Sequence, residues 1–291
     1  MVAPQSDNTA IIDRRVKKIL RSIELMRPIP MVITRIMRSL DEPGSSAGYV
    51  SEIIGLDQAL AANVLQAANS AFLGYGPSCT TLKEAVMRLG YKRIRTLVLA
   101  VAASRGMDGS LAGYNMAAGD MWAHSVATAV AAQWFARAVD YLEPEEAYSA
   151  GLLHDIGKIV LNKFAEEEYK WVFKNQQKQS ETIFETEKKT FGVDHAYIGS
   201  LMAQKWTFPQ VLINAIQYHH NPEGAGEYKQ LAAITNLANA LTPVDPETLT
   251  RLGPRKVNEA SYDILKITPD RVAAMNSQMV TYYKMNFGTG R

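Results

Sequence analysis

An internal disulfide is the first thing this chain cannot have: it holds one cysteine, Cys79, in 291 residues. A lone thiol fits a reducing compartment, and the protein is expected in the cytoplasm. Long apolar runs are missing too. The longest, Leu97 to Ala103, falls far short of the roughly 20 residues that a membrane-spanning helix needs. No apolar stretch precedes the charges between Met1 and Lys18, so no signal peptide and no membrane partner are expected. Neither charge sign dominates, since 31 basic and 29 acidic residues leave a net charge of +2. That balance argues against a broad nucleic-acid surface, although a local basic face is compatible with it. Alternating stretches of the kind that make strands are few, and no repeat of fixed period is present.

What is there is helical periodicity. Helices are expected at Ile12–Met26, stopped by Pro28 and Pro30, and at Met31–Leu40. Ser45 or Ser46 opens a third helix on Val50, Ile53 and Ile54, and Asp57 caps a fourth through Leu60, Val64, Leu65 and Ala68. Thr80 or Thr81 with Glu84 resembles a capping box for Leu82–Leu89, which Gly90 terminates. Ile94 to Ala103 is apolar nearly all round and reads as a buried central helix. A loop near Met107 to Ala118 is the candidate boundary between two lobes. Beyond it, helices are expected at about Gly119–Val139, Pro144–Phe164, Glu181–Phe191, Asp194–Trp206, Pro209–His220 and Leu231–Leu241, with a terminal helix from Thr268-Pro-Asp270. The fold class is all-α: a two-lobed helical bundle with a C-terminal helical extension. Its parts are an N-terminal segment 1–18 that is partly disordered, a domain 19–241 with lobes of about 19–106 and 119–241, and an extension 242–291.

All five histidines can be placed in one pattern. His124 follows Asp120 by four residues, so the two share a helix face that Ala127, Ala131 and Phe135 continue toward the core. His154 and Asp155 are adjacent, and one metal can take both only where the helix bends or ends. Gly157 permits another backbone to approach there. His195 lies in the first turn of its helix, and His219 and His220 end the next. Imidazole with carboxylate is the usual ligand chemistry of zinc, iron and manganese. Singly, each residue has a plainer role: Asp194 as a cap, Asp120 as an exposed first-turn acid, His220 as a partner of a helix C-terminus, Lys158 as an exposed helix lysine. Together they point to one interior site.

The run Leu152-Leu-His-Asp-Ile-Gly-Lys158 resembles the signature of the HD superfamily of metal-dependent phosphohydrolases. Within it, Pro28-Ile-Pro30, Ile54-Gly-Leu-Asp57, Asn69-Ser-Ala-Phe72 and Ala85-Val-Met-Arg-Leu-Gly90 resemble the HDOD family, the HD-related output domain of bacterial signalling proteins. The resemblance covers roughly residues 19–241. By comparison with the related HD-GYP enzymes, which hydrolyse cyclic di-GMP, it implies a metal set of Asp120, His124, His154, Asp155, His195, His219 and His220. It also implies an aspartate where this chain has Asn236, and another at Asn239. An amide keeps an oxygen donor but loses the charge that offsets a divalent cation.

The resemblance therefore implies a signalling or regulatory module that retains a site for one or two ions of iron, manganese or zinc and has lost hydrolysis. Lys158 is a candidate phosphate contact. The implied partner is a signalling protein, a small nucleotide ligand or a second copy of the chain. Two alternatives stand: an active phosphohydrolase or cyclic-dinucleotide phosphodiesterase, and a metal-free interaction scaffold.

Overall fold

A computed structural model of the chain describes residues 5–25, 30–70, 78–107, 109–164, 181–242 and 255–287. Pro28 and residues 71 and 72 of the Asn69-Ser-Ala-Phe72 motif lie outside the described residues. The chain is all-α, and its nearest approach to a strand among the described residues is one isolated bridge, Leu111 to Met116. No described helix is long and apolar enough to cross a membrane.

The chain divides into two compact units, residues 27–105 and residues 1–26 with 106–291. The first unit contains α2 (Met31–Asp41), α3 (Ala47–Ile54), α4 (Gln58–Ala68) and most of α5 (Leu82–Met107). Its caps follow from local chemistry: Ser46 accepts the Tyr49 N–H, and Asp57 accepts that of Leu60. Thr81 and Glu84 exchange the bonds of a capping box. Asn69 clasps Cys79, donating to its carbonyl at 3.0 Å and accepting its N–H at 2.7 Å. Gly90 ends the helix that starts at Leu82, as expected. At φ 73° its backbone is not helical, and α5 resumes beyond this kink to Met107. The segment expected to be buried all round shows one buried face, Ile94, Val98, Leu99 and Ala103, while Leu97, Val101 and Ala102 are half-buried.

The second unit begins earlier than expected. Helix α1 (Gln5–Leu25) starts ahead of the expected Ile12, and it joins this unit instead of the first lobe. Arg15 donates to the Thr190 carbonyl, Lys205 to those of Ile23 and Glu24, and Ile12 and Val16 lie against Gly192. The remaining helices are α6 (Asp120–Ala138), α7 (Pro144–Leu153), α8 (157–164), α9 (Ile183–Phe191), α10 (His195–Lys205), α11 (Gln210–Tyr218), α12 (Lys229–Leu241), α13 (Ala260–Leu265) and α14 (Pro269–Phe287). Helix α6 packs on α7, α12 packs on α6, α7 and α13, and α10 packs on α11. The segment from Pro144 to Phe164 is broken by a turn at residues 154–156, where the His-Asp pair needs the helix to bend or end.

Candidate metal centre

Two glycines let the helices of the second unit approach closely enough to form a site. A Cβ on Gly151 would lie 2.8 Å from the Thr128 carbonyl oxygen of α6, and one on Gly157 only 2.0 Å from the His195 carbonyl oxygen of α10. Between these glycines the backbone leaves the helix. Lys158 N–H bonds the Asp155 carbonyl at 2.9 Å, a turn closure that lets the neighbouring His154 and Asp155 side chains converge.

Asp155 is the hub. Its Oδ2 lies 3.4 Å from His124 Nε2, 3.3 Å from His154 Nε2 and 2.5 Å from Lys158 Nζ. Its Oδ1 lies 3.0 Å from His195 Nε2, without the alignment of a hydrogen bond, and 4.0 Å from His219 Nε2. Candidate ligand atoms fall into two groups, His124 with His154 and Asp155, and His195 with His219 and His220. Thus all five histidines come together, with one carboxylate.

Two of the imidazoles have their tautomers set by backbone. His154 Nδ1 lies 2.7 Å from the Gly151 carbonyl, and His219 Nδ1 lies 2.7 Å from that of Ile216. A carbonyl only accepts, so each Nδ1 carries the proton and each Nε2 offers a lone pair. Those two Nε2 atoms are buried without a hydrogen-bond partner, as is His124 Nδ1. Buried unpartnered acceptors are costly unless something positive meets them. The donor set therefore fits a divalent cation of the iron, manganese or zinc type.

His195 is oriented from behind. Glu187, fully buried, accepts from the His195 backbone N–H at 2.7 Å, sits 2.6 Å from its Nδ1, and accepts the Tyr114 hydroxyl at 2.6 Å. Burial opposes charge on His195, but Glu187 and Asp155 outweigh it and raise its pKa to about 9. Burial pulls His124 down to about 4 and His219 well below its usual value. Asp155 would be pushed up by burial, but His154, Lys158 and His195 hold it well below the carboxylate range. His220 completes the group from its half-buried position, with Nε2 3.0 Å from His195 Nε2 and its ring stacked on Phe184.

The sequence matches the HDOD domain family over residues 26–222. The chain belongs to that family. An uncharacterized protein of Treponema pallidum (strain Nichols) is 28% identical to this HDOD chain over 232 residues, which is 79% of this chain and 44% of that relative. The chain thus spans less than half the length of that curated relative. Among solved structures, a candidate phosphohydrolase from Shewanella amazonensis SB2B is 26% identical, with a TM-score of 0.68 over 91% of this chain and 94% of its own. An HDOD domain protein with unknown function from Geobacter sulfurreducens has a TM-score of 0.65 at 23% identity, over 94% and 95%. A candidate signal transduction protein from Marinobacter aquaeolei VT8 has 0.69 at 23%, over 95% of this chain and 63% of that one. The last two show the fold alone.

Two further positions of the HDOD chain, Asp120 and Asn236, belong to neither group. Asp120 is half-buried at the start of α6, where its Oδ2 accepts the Ala117 N–H at 2.8 Å, and it falls in neither group. Asn236 is buried beside them, but both ends of its amide are engaged. Its Nδ2 donates to the His219 carbonyl at 2.8 Å, and its Oδ1 accepts the Asn258 N–H and the Ser261 hydroxyl, each at 2.9 Å. An aspartate could not make the first of these bonds. Lys158 is buried on Asp155 instead of exposed. Sequence reasoning missed Glu187, Tyr114, Arg255 and Asn258. Glu187 sits in an amphipathic stretch whose pattern alone marks it as surface, and nothing local marks the other three.

Proposed function

We propose that this HDOD chain is a regulatory module in signal transduction that holds a divalent cation at its histidine groups and does not hydrolyse a substrate. The observation that carries this reading is the amide at position 236. Asp155 is the sole carboxylate in the two ligand groups, and Asn236 is bonded to the His219 carbonyl and to the C-terminal extension. Two-metal hydrolysis holds two ions about 3.5–4 Å apart around a bridging hydroxide. One anionic ligand leaves most of the charge of such a pair uncompensated.

The residues that would hold an ion are His124, His154, Asp155, His195, His219 and His220. Iron, manganese or zinc bound there would supply Lewis acidity and positive charge. The rest of the chain prepares the groups: the Gly151 and Ile216 carbonyls set tautomers, Glu187 orients His195, and Lys158 neutralises Asp155. The output is a rearrangement that depends on a ligand or partner, which is a signalling protein, a small nucleotide or a second copy. The setting is the cytoplasm.

Metal analysis of tag-free protein together with turnover assays tests this. At least one equivalent of iron, manganese or zinc is expected, and a content under about a tenth of an equivalent would sink the metal. No turnover of cyclic di-GMP or nucleoside triphosphates is expected. Turnover that disappears in both His154→Ala and Asp155→Ala would establish the rival phosphohydrolase instead, which the name of the Shewanella amazonensis relative favours. The metal-free scaffold draws support from Lys158, whose ammonium already gives Asp155 a protein cation.

A further inference from the structure

The pocket beside the histidine groups has a wall that the family match does not include. Lys158, His195 and His220 line its inner part, and Arg255, Lys256 and Asn258 line it from the C-terminal extension, around a cavity of about 160 Å³. Arg255 is half-buried. It donates to the Asn239 carbonyl at 2.8 Å and to the Thr242 carbonyl at 3.3 Å. Carbonyls orient a guanidinium without neutralising it. Two of its five N–H groups are used, so three remain. Among the described residues no carboxylate is bonded to it. Asp155 is the carboxylate that acts on its charge, and Lys158 already holds that group.

The local charge count points to an anion. Three cations, Lys158, Arg255 and Lys256, line the pocket with one carboxylate, Glu185, while Asp155 and Glu187 lie behind it on Lys158 and His195. Glu185 is committed to the Thr182 N–H and hydroxyl at 2.8 and 2.6 Å. A divalent ion at the histidine groups therefore leaves a double positive charge beside the pocket.

We propose that this pocket binds a phosphate-class oxyanion, and that Arg255, supplied by the C-terminal extension, recognises it opposite the histidine-held cation. The cation half rests on the metal reading above; the anion half rests on Arg255. A tetrahedral oxyanion has separate oxygens for a guanidinium fork, an ammonium and a metal, whereas a carboxylate has only two. The wall is also coupled to the site. Asn258 donates to Asn236 Oδ1 at 2.9 Å and to the His220 carbonyl at 3.0 Å, and Ser261 donates to the same Oδ1. A ligand that grips Arg255 thereby firms the docking of residues 255–267.

The test is calorimetric titration of inorganic phosphate into the full chain loaded with manganese, with metal content measured on the same sample. Wild type is expected to bind phosphate more tightly than acetate. Arg255→Met is expected to bind phosphate roughly tenfold more weakly or worse at unchanged metal content. Equal phosphate affinity in the two proteins overturns the proposal, as does tighter binding of acetate. The same titration after chelation separates the two halves. Phosphate binding that persists there and still needs Arg255 upholds the anion site even where the metal reading fails. No phosphate binding in either state overturns the site whatever the metal content. Arg255→Met also loses two carbonyl bonds, so a measurement on wild type alone is needed. Saturating phosphate is expected to slow amide exchange across residues 255–267, and unchanged exchange overturns the link to the extension.

Discussion

The unit of residues 27–105 buries a single polar side chain among those described, Ser39, whereas the other unit buries imidazoles, carboxylates, an ammonium and an amide. The first is built as a core usually is: Ile33, Ile36, Val50, Ile54, Leu60, Val64 and Val86 are all removed from water and need no partners. In the second, Asp155, His154 and His219 are as deeply buried as any leucine, and part of their hydrogen-bonding capacity is unmet. One chain thus contains a region shaped by stability next to one in which stability is given up for a site. The Asn69–Cys79 clasp shows the difference in small. In the first unit a polar side chain closes a loop; in the second, polar side chains face one another.

The sharpest way to break this comparison is at Gly157. A methyl there would meet the His195 carbonyl oxygen at 2.0 Å and the Gly199 nitrogen at 2.6 Å, so α8 and α10 must separate. Gly157→Ala is expected to cost on the order of 3–5 kcal/mol in thermal or denaturant unfolding and to abolish metal retention. The converse belongs to the apolar unit. Leu60→Ala is expected to cost about 2–4 kcal/mol while metal content per folded molecule is unchanged. His154→Ala should do the reverse, lowering metal content with little change in the stability of chelated protein. If Leu60→Ala empties the metal site as well, the two units are not the separate regions drawn above.

Smaller again is the pH profile of the metal-free protein, and the signs come from the histidines. The raised pKa of His195, about 9, gives stability that is full below about 6.5 and is lost as pH rises through 9. The lowered pKa of His124, about 4, and that of His219 act the other way, so stability falls as pH drops below about 6.5. A maximum near pH 6.5 is expected. Hydrogen exchange should place the pH dependence in residues 106–291 and not in 27–105, where no described histidine or carboxylate is buried. A flat profile, or one shared equally by both units, would refute the assignment.

The smallest expected effect is at Asn236. Asn236→Asp removes the donor to the His219 carbonyl and sets two acceptors against each other, at a cost of about 1–2 kcal/mol in metal-free protein. Added manganese should recover part of that cost, since the new carboxylate can offset the cation. Recovery to full wild-type stability with new hydrolase activity would show that the amide was a defect alone and not also a structural bond.

Much of the site was legible because its ligand types are rare and chemically specific. The five histidines and the His154-Asp155 pair marked the residues that the structure brings into two candidate ligand groups, and Gly157 marked the close approach that the structure contains. Caps at Ser46, Asp57, Thr81 and Asp194 were legible because each is a bond across three residues of chain. The structure parts Asp120 from the ligand groups, because spacing places a residue on a face without saying how far along the helix the site lies. Sequence leaves Lys158 open between a phosphate contact and an exposed lysine, and the structure buries it on Asp155, three residues before it. Glu187 reaches His195 across the break at Gly192, where no helical spacing applies. Arg255 and Asn258 reach the site from an extension whose docking has no local signature.

The sequence by itself determined that the chain is helical, can form no internal disulfide, and carries five histidines and a His-Asp pair as candidate metal ligands, with an amide at position 236. These depend on composition and on neighbours a few residues apart, where bond lengths and helical period leave little freedom. Only the tertiary structure decided that Asp155 is the hub, that Asn236 anchors the C-terminal segment, and that Arg255 faces the histidines. Those outcomes depend on which backbones can approach within van der Waals distance, and that is settled by packing across the whole unit.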